Sequence, residues 1–304
     1  MAPDGPRSWP NYSNKRQWLV FYNVTGMTVQ GDGVVDGRGH KWWDLPCKPH
    51  KTEFQGIHGT ATVAPSSCDS PVAIRFFMSS NLTVQGLKVQ NSPQFHFRLD
   101  HCQNVVVRML NIHSPSLSPN TDGIHIENSN NIIVHSSLIS NGDDCISIGA
   151  GSYNVHIRNI TCSPSHGISI GSLGFRNSGA CVSNITVSDC FIHHSQNGVR
   201  IKTWQGGYGS VSQVKFHNIW MEGVRNPVII DQYYCLSKND SVPCTDLELS
   251  DIVLFPGADH GGVAEKNPFC WNAYGGNQTL IVPPVSCLIG GSPDLIMDLK
   301  EDLC

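Results

Sequence analysis

Charge is scarce in this chain. Asp, Glu, Lys and Arg make up 14% of its 304 residues, against roughly 25% in ordinary soluble proteins. Lys and Arg form no cluster and the net charge is −4, so the basic surface that nucleic-acid binding requires is missing. An acidic substrate in a local basic cleft stays open. Long apolar runs are absent as well. The segment Trp18-Leu19-Val20-Phe21-Tyr22 falls far short of the ~20 residues of a spanning helix, and no membrane partner is expected. There is no paired C-x-x-C pattern and the histidines are scattered, so neither a metal nor a cofactor is expected. His193-His194 reads as a surface pair. Long helices lack their usual Ala, Glu and Lys, which excludes a bundle or a coiled coil.

What the chain does have is glycine (29), proline (18) and much Asn, Ile and Val, a composition of short strands and turns. Its 12 cysteines fit disulfides in an oxidising compartment. Sequons at Asn11, Asn23, Asn81, Asn159, Asn184, Asn239 and Asn277 agree with secretion, although Asn-x-Thr also arises by chance in Asn-rich β repeats. Met1 opens onto Ala-Pro-Asp-Gly-Pro with no apolar leader core. Secretion would therefore need a leader that was removed or lies upstream.

Two repeats run in phase. Asn-x-aliphatic-x-aliphatic segments start at Asn81, Asn104, Asn131, Asn154 and Asn184, at intervals of 23, 27, 23 and 30 residues. A second set, Asp122-Gly-Ile-His-Ile, Asp144-Cys-Ile-Ser-Ile, His166-Gly-Ile-Ser-Ile and Asn197-Gly-Val-Arg-Ile, recurs at 22, 22 and 31. Each repeat holds at least two short alternating strands with no helical crossover. The reading is an all-β, right-handed parallel β-helix with rungs ~4.8 Å apart. A propeller or sandwich would need Asn-Gly hairpins, but Asn141-Gly142 and Asn197-Gly198 each open an aligned strand instead. A single domain over 1–304 is expected. Its coils would run from about 18 to 255, with a Cys-rich C-terminal cap from about 256 to 304 and a shortened N-terminal cap. Residues 1–17 are too polar to cover the first coil.

Within the stacked block, Ile124, Ile126, Ile146, Ile148, Ile168, Ile170, Val199 and Ile201 share the inward parity. His125, Ser147, Ser169, Arg200 and Lys202 share the other and are expected to face solvent. Asp122, Asp144 and His166 hold one position in three successive coils, with Asp143 beside Asp144. Three polar groups cannot sit in an apolar core, so they belong at the bend before each strand. A turn ladder accounts for any one of these aspartates. Three stacked carboxylates repel one another, which is tolerated where repulsion tunes proton transfer. Beside a basic pair, such a set suits cleavage of an anionic glycoside. One carboxyl protonates the leaving oxygen, another activates water, and Arg and Lys hold the sugar's carboxylate.

Asn120-Thr-Asp122, Gly142-Asp-Asp144, Ser165-His166-Gly167 with Ile-Ser-Ile-Gly-Ser-Leu-Gly after it, and Arg200-Ile-Lys202 resemble the four signatures of plant polygalacturonases, glycoside hydrolase family 28. The similarity runs from about residue 9 to the C-terminus. The resemblance implies inverting hydrolysis of α-1,4 bonds between galacturonate units of pectin by a secreted, monomeric cell-wall enzyme. It implies Asp143 as general acid, Asp122 and Asp144 as the carboxylates that position and activate water, and His166 as support for the acid. It further implies Arg200 and Lys202 as binders of substrate carboxylate, with Asn120 and Tyr234 in the substrate cleft and Tyr233 as a neighbour competing for that alignment. Cys145 and Cys162 resemble a family disulfide. Ser165 departs from the family's glycine, so it either crowds the cleft or adds a hydrogen bond. Trp42-Trp43 and Trp204 are read as buried corner aromatics ahead of sugar platforms. A calcium-dependent pectate lyase and a catalytically silent pectin-binding protein are the alternatives.

Overall fold

The computed structural model describes residues 1–9, 16–44, 70–232, 234, 244–255, 269–270, 273–277, 281–282, 284 and 286–290. All strand pairs among them are parallel. One sheet stacks Gln17–Tyr22, Val72–Phe77, Phe97–Asp100, Ile124–Glu127, Ile146–Ile148, Ile168–Leu173, Asn197–Thr203, Asn226–Asp231 and Phe269–Cys270 in sequence order, one strand per coil. A second sheet takes the following strand of each coil. From Asn130–Ser140 onward that strand is long and turns a corner, so its second half forms a third face with Val34–Asp36, Lys88–Gln90 and Asn111–His113. The fold is a parallel β-helix.

The register explains why this sequence coils. Ile124 pairs with Phe97 and Ile146, Ile146 with Ile168, and Ile168 with Val199. Ile126, Ile148, Ile170 and Ile201 form the next column, and every one of these side chains is buried. β-Branched side chains suit a stacked inner face, and each buried one contributes about 1.5–3 kcal/mol. The inward parity is as expected.

The recurring asparagines have a separate cause. Asn81, Asn104, Asn131, Asn154 and Asn184 all have φ between 53° and 55°, the left-handed region that Asn tolerates better than other side chains. Each later Nδ2 donates to the preceding Oδ1, at 3.1, 3.0, 3.1 and 2.6 Å. The sequons at Asn81 and Asn184 thus coincide with ladder positions. Those at Asn11 and Asn239 lie outside the described residues.

At the N-terminal end, Leu19 and Phe21 are only partly buried, whereas Ile74 and Phe76 in the next rung are buried. Ala2 and Trp9 pack with buried Trp42 beside Trp18, the two indoles edge to face at 5.6 Å. Trp42 is therefore a buried aromatic, as expected, in a cluster separate from the core of the coils. At the other end, Ala273–Asn277 and Ile281–Val282 pair with Cys244–Phe255, and most of the expected cap lies outside the described residues. Cys145 and Cys162 form a disulfide that closes a 17-residue separation, a loop for which chain entropy suggests about 3 kcal/mol. Cys102 and Cys190 are free and buried. Cysteine pairing therefore does not extend to every member of the set.

Candidate active site

Asp122, Asp143–Asp144 and His166 lie at the bends that precede Ile124–Glu127, Ile146–Ile148 and Ile168–Leu173, as polar groups excluded from the core must. Two glycines let these bends stack. A Cβ on Gly142 would sit 2.2 Å from the Ser118 carbonyl oxygen, and one on Gly167, at φ 81°, would sit 2.1 Å from that of Gly198. Buried Asn141 donates from Nδ2 to the carbonyls of Thr121 (2.9 Å) and Asp144 (2.8 Å). It ties the bend of one rung to the bend of the next.

The carboxylates converge. Asp143 Oδ2 accepts the Asn120 N–H at 3.1 Å, and its Oδ1 accepts the Asp144 N–H at 3.0 Å and lies 3.2 Å from His166 Nδ1. Asp144 Oδ1 accepts from Arg200 (2.6 Å) and from the Ser169 hydroxyl (2.9 Å), while Oδ2 accepts from Lys202 Nζ (2.6 Å). Asp122 Oδ2 accepts the Ser147 hydroxyl at 2.7 Å. Burial first, then the charges of Asp143 and Asp144, raise the Asp122 carboxyl well above the ordinary range, while Lys202 and Ser147 pull the other way. Burial and crowded like charge thus favour the protonated form of Asp122.

The outward row is not exposed as parity alone predicts. Ser147, Ser169 and Lys202 point away from the core yet are buried, because the aspartates fold back over them. The two serines are ties: Ser147 holds Asp122, and Ser169 joins Asp144 to Arg200, whose Nε donates to it at 3.0 Å. Arg200 and Lys202 both rest on Asp144.

A cleft of 460 Å³ opens over this cluster. Asn120, Asp122, Asp143, Asp144, Lys202 and Tyr234 all line it. Trp204 lines it as well, edge to face with Phe175 (4.8 Å) and Tyr234 (5.8 Å), so it is a cleft residue, unlike Trp42. Lys202 Nζ stands 5.3 Å from the Tyr234 ring centroid. Tyr233 lies outside the described residues. His193 and His194 meet edge to face near the surface with ring nitrogens 2.9 Å apart.

Ser165 is buried, takes the Gly167 N–H on its hydroxyl at 3.0 Å and contacts the Ser195 hydroxyl at 3.1 Å. It is absent from the cleft wall and stabilises the His166 turn. Ser165→Gly should leave kcat/KM within about twofold, because the loss is one modest hydrogen bond remote from the cleft. A gain of tenfold in a steady-state assay would show that the hydroxyl obstructs substrate.

One positioning residue carries no sequence signal beyond being a histidine. His96 is fully buried, and the carbonyl of Asp122 accepts both its backbone N–H (2.9 Å) and its ring Nδ1 (3.1 Å). A carbonyl only accepts, so Nδ1 bears the proton, and Nε2 accepts from the Ser114 hydroxyl at 2.9 Å. Burial holds this imidazole down at about 4, below the ~6.5 of the unfolded chain. Between those values only the unfolded chain takes up the proton, so the native state loses stability as pH falls through the window. His96→Asn keeps an N–H for the carbonyl and removes the titration. Urea melts at about pH 7 and about pH 4.5 should show a loss smaller by about 2 kcal/mol in the variant. Equal losses would contradict a neutral His96.

Asp143, Asp144 and His166 present ligand atoms within 4.8 Å of one another, a spacing that could hold a cation. Both Asp144 oxygens are already occupied by Arg200, Ser169 and Lys202, so the donor set fits an ion poorly.

The stacked coils and the acid cluster on one outward sheet define a class by architecture, parallel β-helices that carry a carboxylate-lined cleft. Residues 8–256 match the profile of glycosyl hydrolases family 28. The chain is 39% identical to a probable polygalacturonase of Arabidopsis thaliana, over 93% of this chain and 68% of that protein. It is 46% identical to polygalacturonase-2 of Solanum lycopersicum (74% of this chain, 47% of that one) and 45% identical to a polygalacturonase of Persea americana (81% and 50%). It thus spans about half the length of the last two relatives. Among solved structures, endo-xylogalacturonan hydrolase from Aspergillus tubingensis superposes with TM-score 0.71 at 22% identity (94% of this chain, 81% of that one). The polygalacturonase of Erwinia carotovora gives 0.71 at 23% (95% and 80%). These neighbours share the right-handed parallel β-helix. The chain belongs to glycosyl hydrolases family 28.

Proposed function

We propose that this chain hydrolyses α-1,4-galacturonosyl bonds of pectin with inversion. The observation that carries this reading is the convergence of Asp122, Asp143 and Asp144 in one cleft. Asp143, beside His166 and lining the cleft, protonates the leaving oxygen. Asp122 and Asp144 orient and activate water on the opposite face of the sugar. Lys202 commits one donor to Asp144 and has others for a substrate carboxylate. Arg200 assists from beneath, and Tyr234 and Asn120 border the bound sugar. Asp143 and Asp144 each present an oxygen in a group whose members lie within 4.8 Å of one another, and three carboxyls packed this closely depart from the separation rule that distinguishes inverting from retaining pairs. Asp144 accepts from Arg200, Ser169 and Lys202, which makes it a poor nucleophile toward carbon yet leaves Oδ2 a lone pair for water. The reading takes 1–304 as one secreted, monomeric β-helix domain acting in the plant cell wall.

Incubation with polygalacturonate and a chelator tests it. Release of new reducing ends with saturated products supports hydrolysis. Unsaturated uronate, or loss of activity with the chelator, would identify a calcium-dependent lyase. Retention on polygalacturonate without release would identify a silent binder. Ser165, the residue that would favour the silent binder, is buried beside the His166 turn and offers that alternative no support.

A further inference from the structure

The two ends of the cleft differ in charge. Lys202 stands at one end with Trp204 and Tyr234. At the other end, toward the N-terminal rungs, the lining is Phe95, His125 and Glu127, with Gly149 and Ala150 of the adjoining rung beside Glu127. Among the described residues, each cation near that second end is already committed. Arg98 donates to Glu127 through Nε (2.5 Å) and NH2, and that NH2 lies 3.6 Å from Asp100. Arg75 is paired with Asp100 and donates to Gln17 at 2.9 Å. His125 Nδ1 contacts the Ser147 hydroxyl at 2.7 Å, and Nε2 lies 3.4 Å from Glu127 Oε2.

Burial alone would push the Glu127 carboxyl up, but the hydrogen bond and charge of His125, with Arg98, hold it down at about 2. Glu127 is therefore an anion at any pH where the cleft works. A second carboxylate placed over it would meet like charge with no unpaired cation beside it among the described residues. Phe95 stacks on His125 at 4.5 Å and 22°, giving the same end an apolar face.

We propose that Glu127 is a specificity-determining residue: it makes this end of the cleft accept an uncharged, methyl-esterified uronate, while the Lys202 end accepts an ionised one. The substrate class is then partially esterified galacturonan rather than fully de-esterified chain. The inference rests on galacturonan being the ligand, as proposed above.

Binding separates it from the catalytic reading. In affinity gels containing pectins of equal length and graded esterification, Asp143→Asn protein should be retarded about tenfold more strongly by a half-esterified polymer than by a fully de-esterified one. Adding Glu127→Gln should abolish or reverse that preference. Glu127→Asp, which keeps the charge, should preserve it and guards against a folding artefact. Equal or stronger retention on the de-esterified polymer, unchanged by Glu127→Gln, would overturn the inference. So would no retention on any pectin, which would also count against a galacturonan ligand. Hydrolysis of polygalacturonate by the unmodified protein, without an ester preference, would overturn this inference alone.

Discussion

Asp143→Asn should lower kcat by about 10²- to 10⁴-fold, the span a positioned general acid contributes, with KM changed less than about threefold. The amide removes the transferable proton but keeps an oxygen for one of the two backbone donors, Asn120 and Asp144, that now hold the carboxylate. It also removes one of the negative charges that raise Asp122, so Asp122 should titrate closer to an ordinary carboxyl in the variant. Initial rates of reducing-end release, with the melting temperature as a check on folding, give the comparison. Retention of more than about a tenth of wild-type kcat would remove Asp143 from the acid role.

The second large effect is expected at Lys202. This side chain is buried, donates to Asp144 and lies over Tyr234. The charge of Asp144 raises its ammonium against the downward pull of burial. Lys202→Met fills most of the stem volume and leaves Asp144 with Arg200 as its remaining cationic partner. Breaking a buried pair from one side costs about 3–5 kcal/mol, and the retained arginine places the expected loss near the lower figure. KM on polygalacturonate should rise as well, since the cleft loses the cation that reaches its surface. The rise should be smaller on methyl-esterified pectin, where fewer carboxylates remain to be read. A denaturation midpoint equal to wild type, with equal KM changes on both substrates, would contradict both roles.

Much of this is written locally in the chain. The alternation in Ile124-His125-Ile126 and its counterparts sets which side chains face inward, and stacked rungs leave that parity unchanged. The repeat interval placed Asp122, Asp144 and His166 in successive coils, and the impossibility of burying them placed them at bends. Exposure was less legible. Ser147 and Ser169 have outward parity, but parity does not show that an aspartate from the preceding rung will lie across each of them, or that Arg200 will reach back two rungs to Asp144. His96 acts through the backbone carbonyl of Asp122, in the next coil, a contact that exists only once the rungs are in register. Ser165 was ambiguous for a similar reason: its hydroxyl turns toward Ser195 and Gly167, which only the packed turn reveals. Trp42 and Trp204 look alike in sequence. Trp42 is sealed against Trp9 while Trp204 borders the cleft.

The most direct measurement is the configuration of the first product. Proton NMR during the opening minutes of polygalacturonate cleavage follows the new reducing-end anomeric signal before mutarotation. Water delivered by Asp122 and Asp144 across the ring from Asp143 predicts that the β anomer appears first and the α anomer grows in later. An α anomer at the outset would mean that a carboxylate attacks carbon, and an unsaturated uronate would mean that no water enters the bond at all.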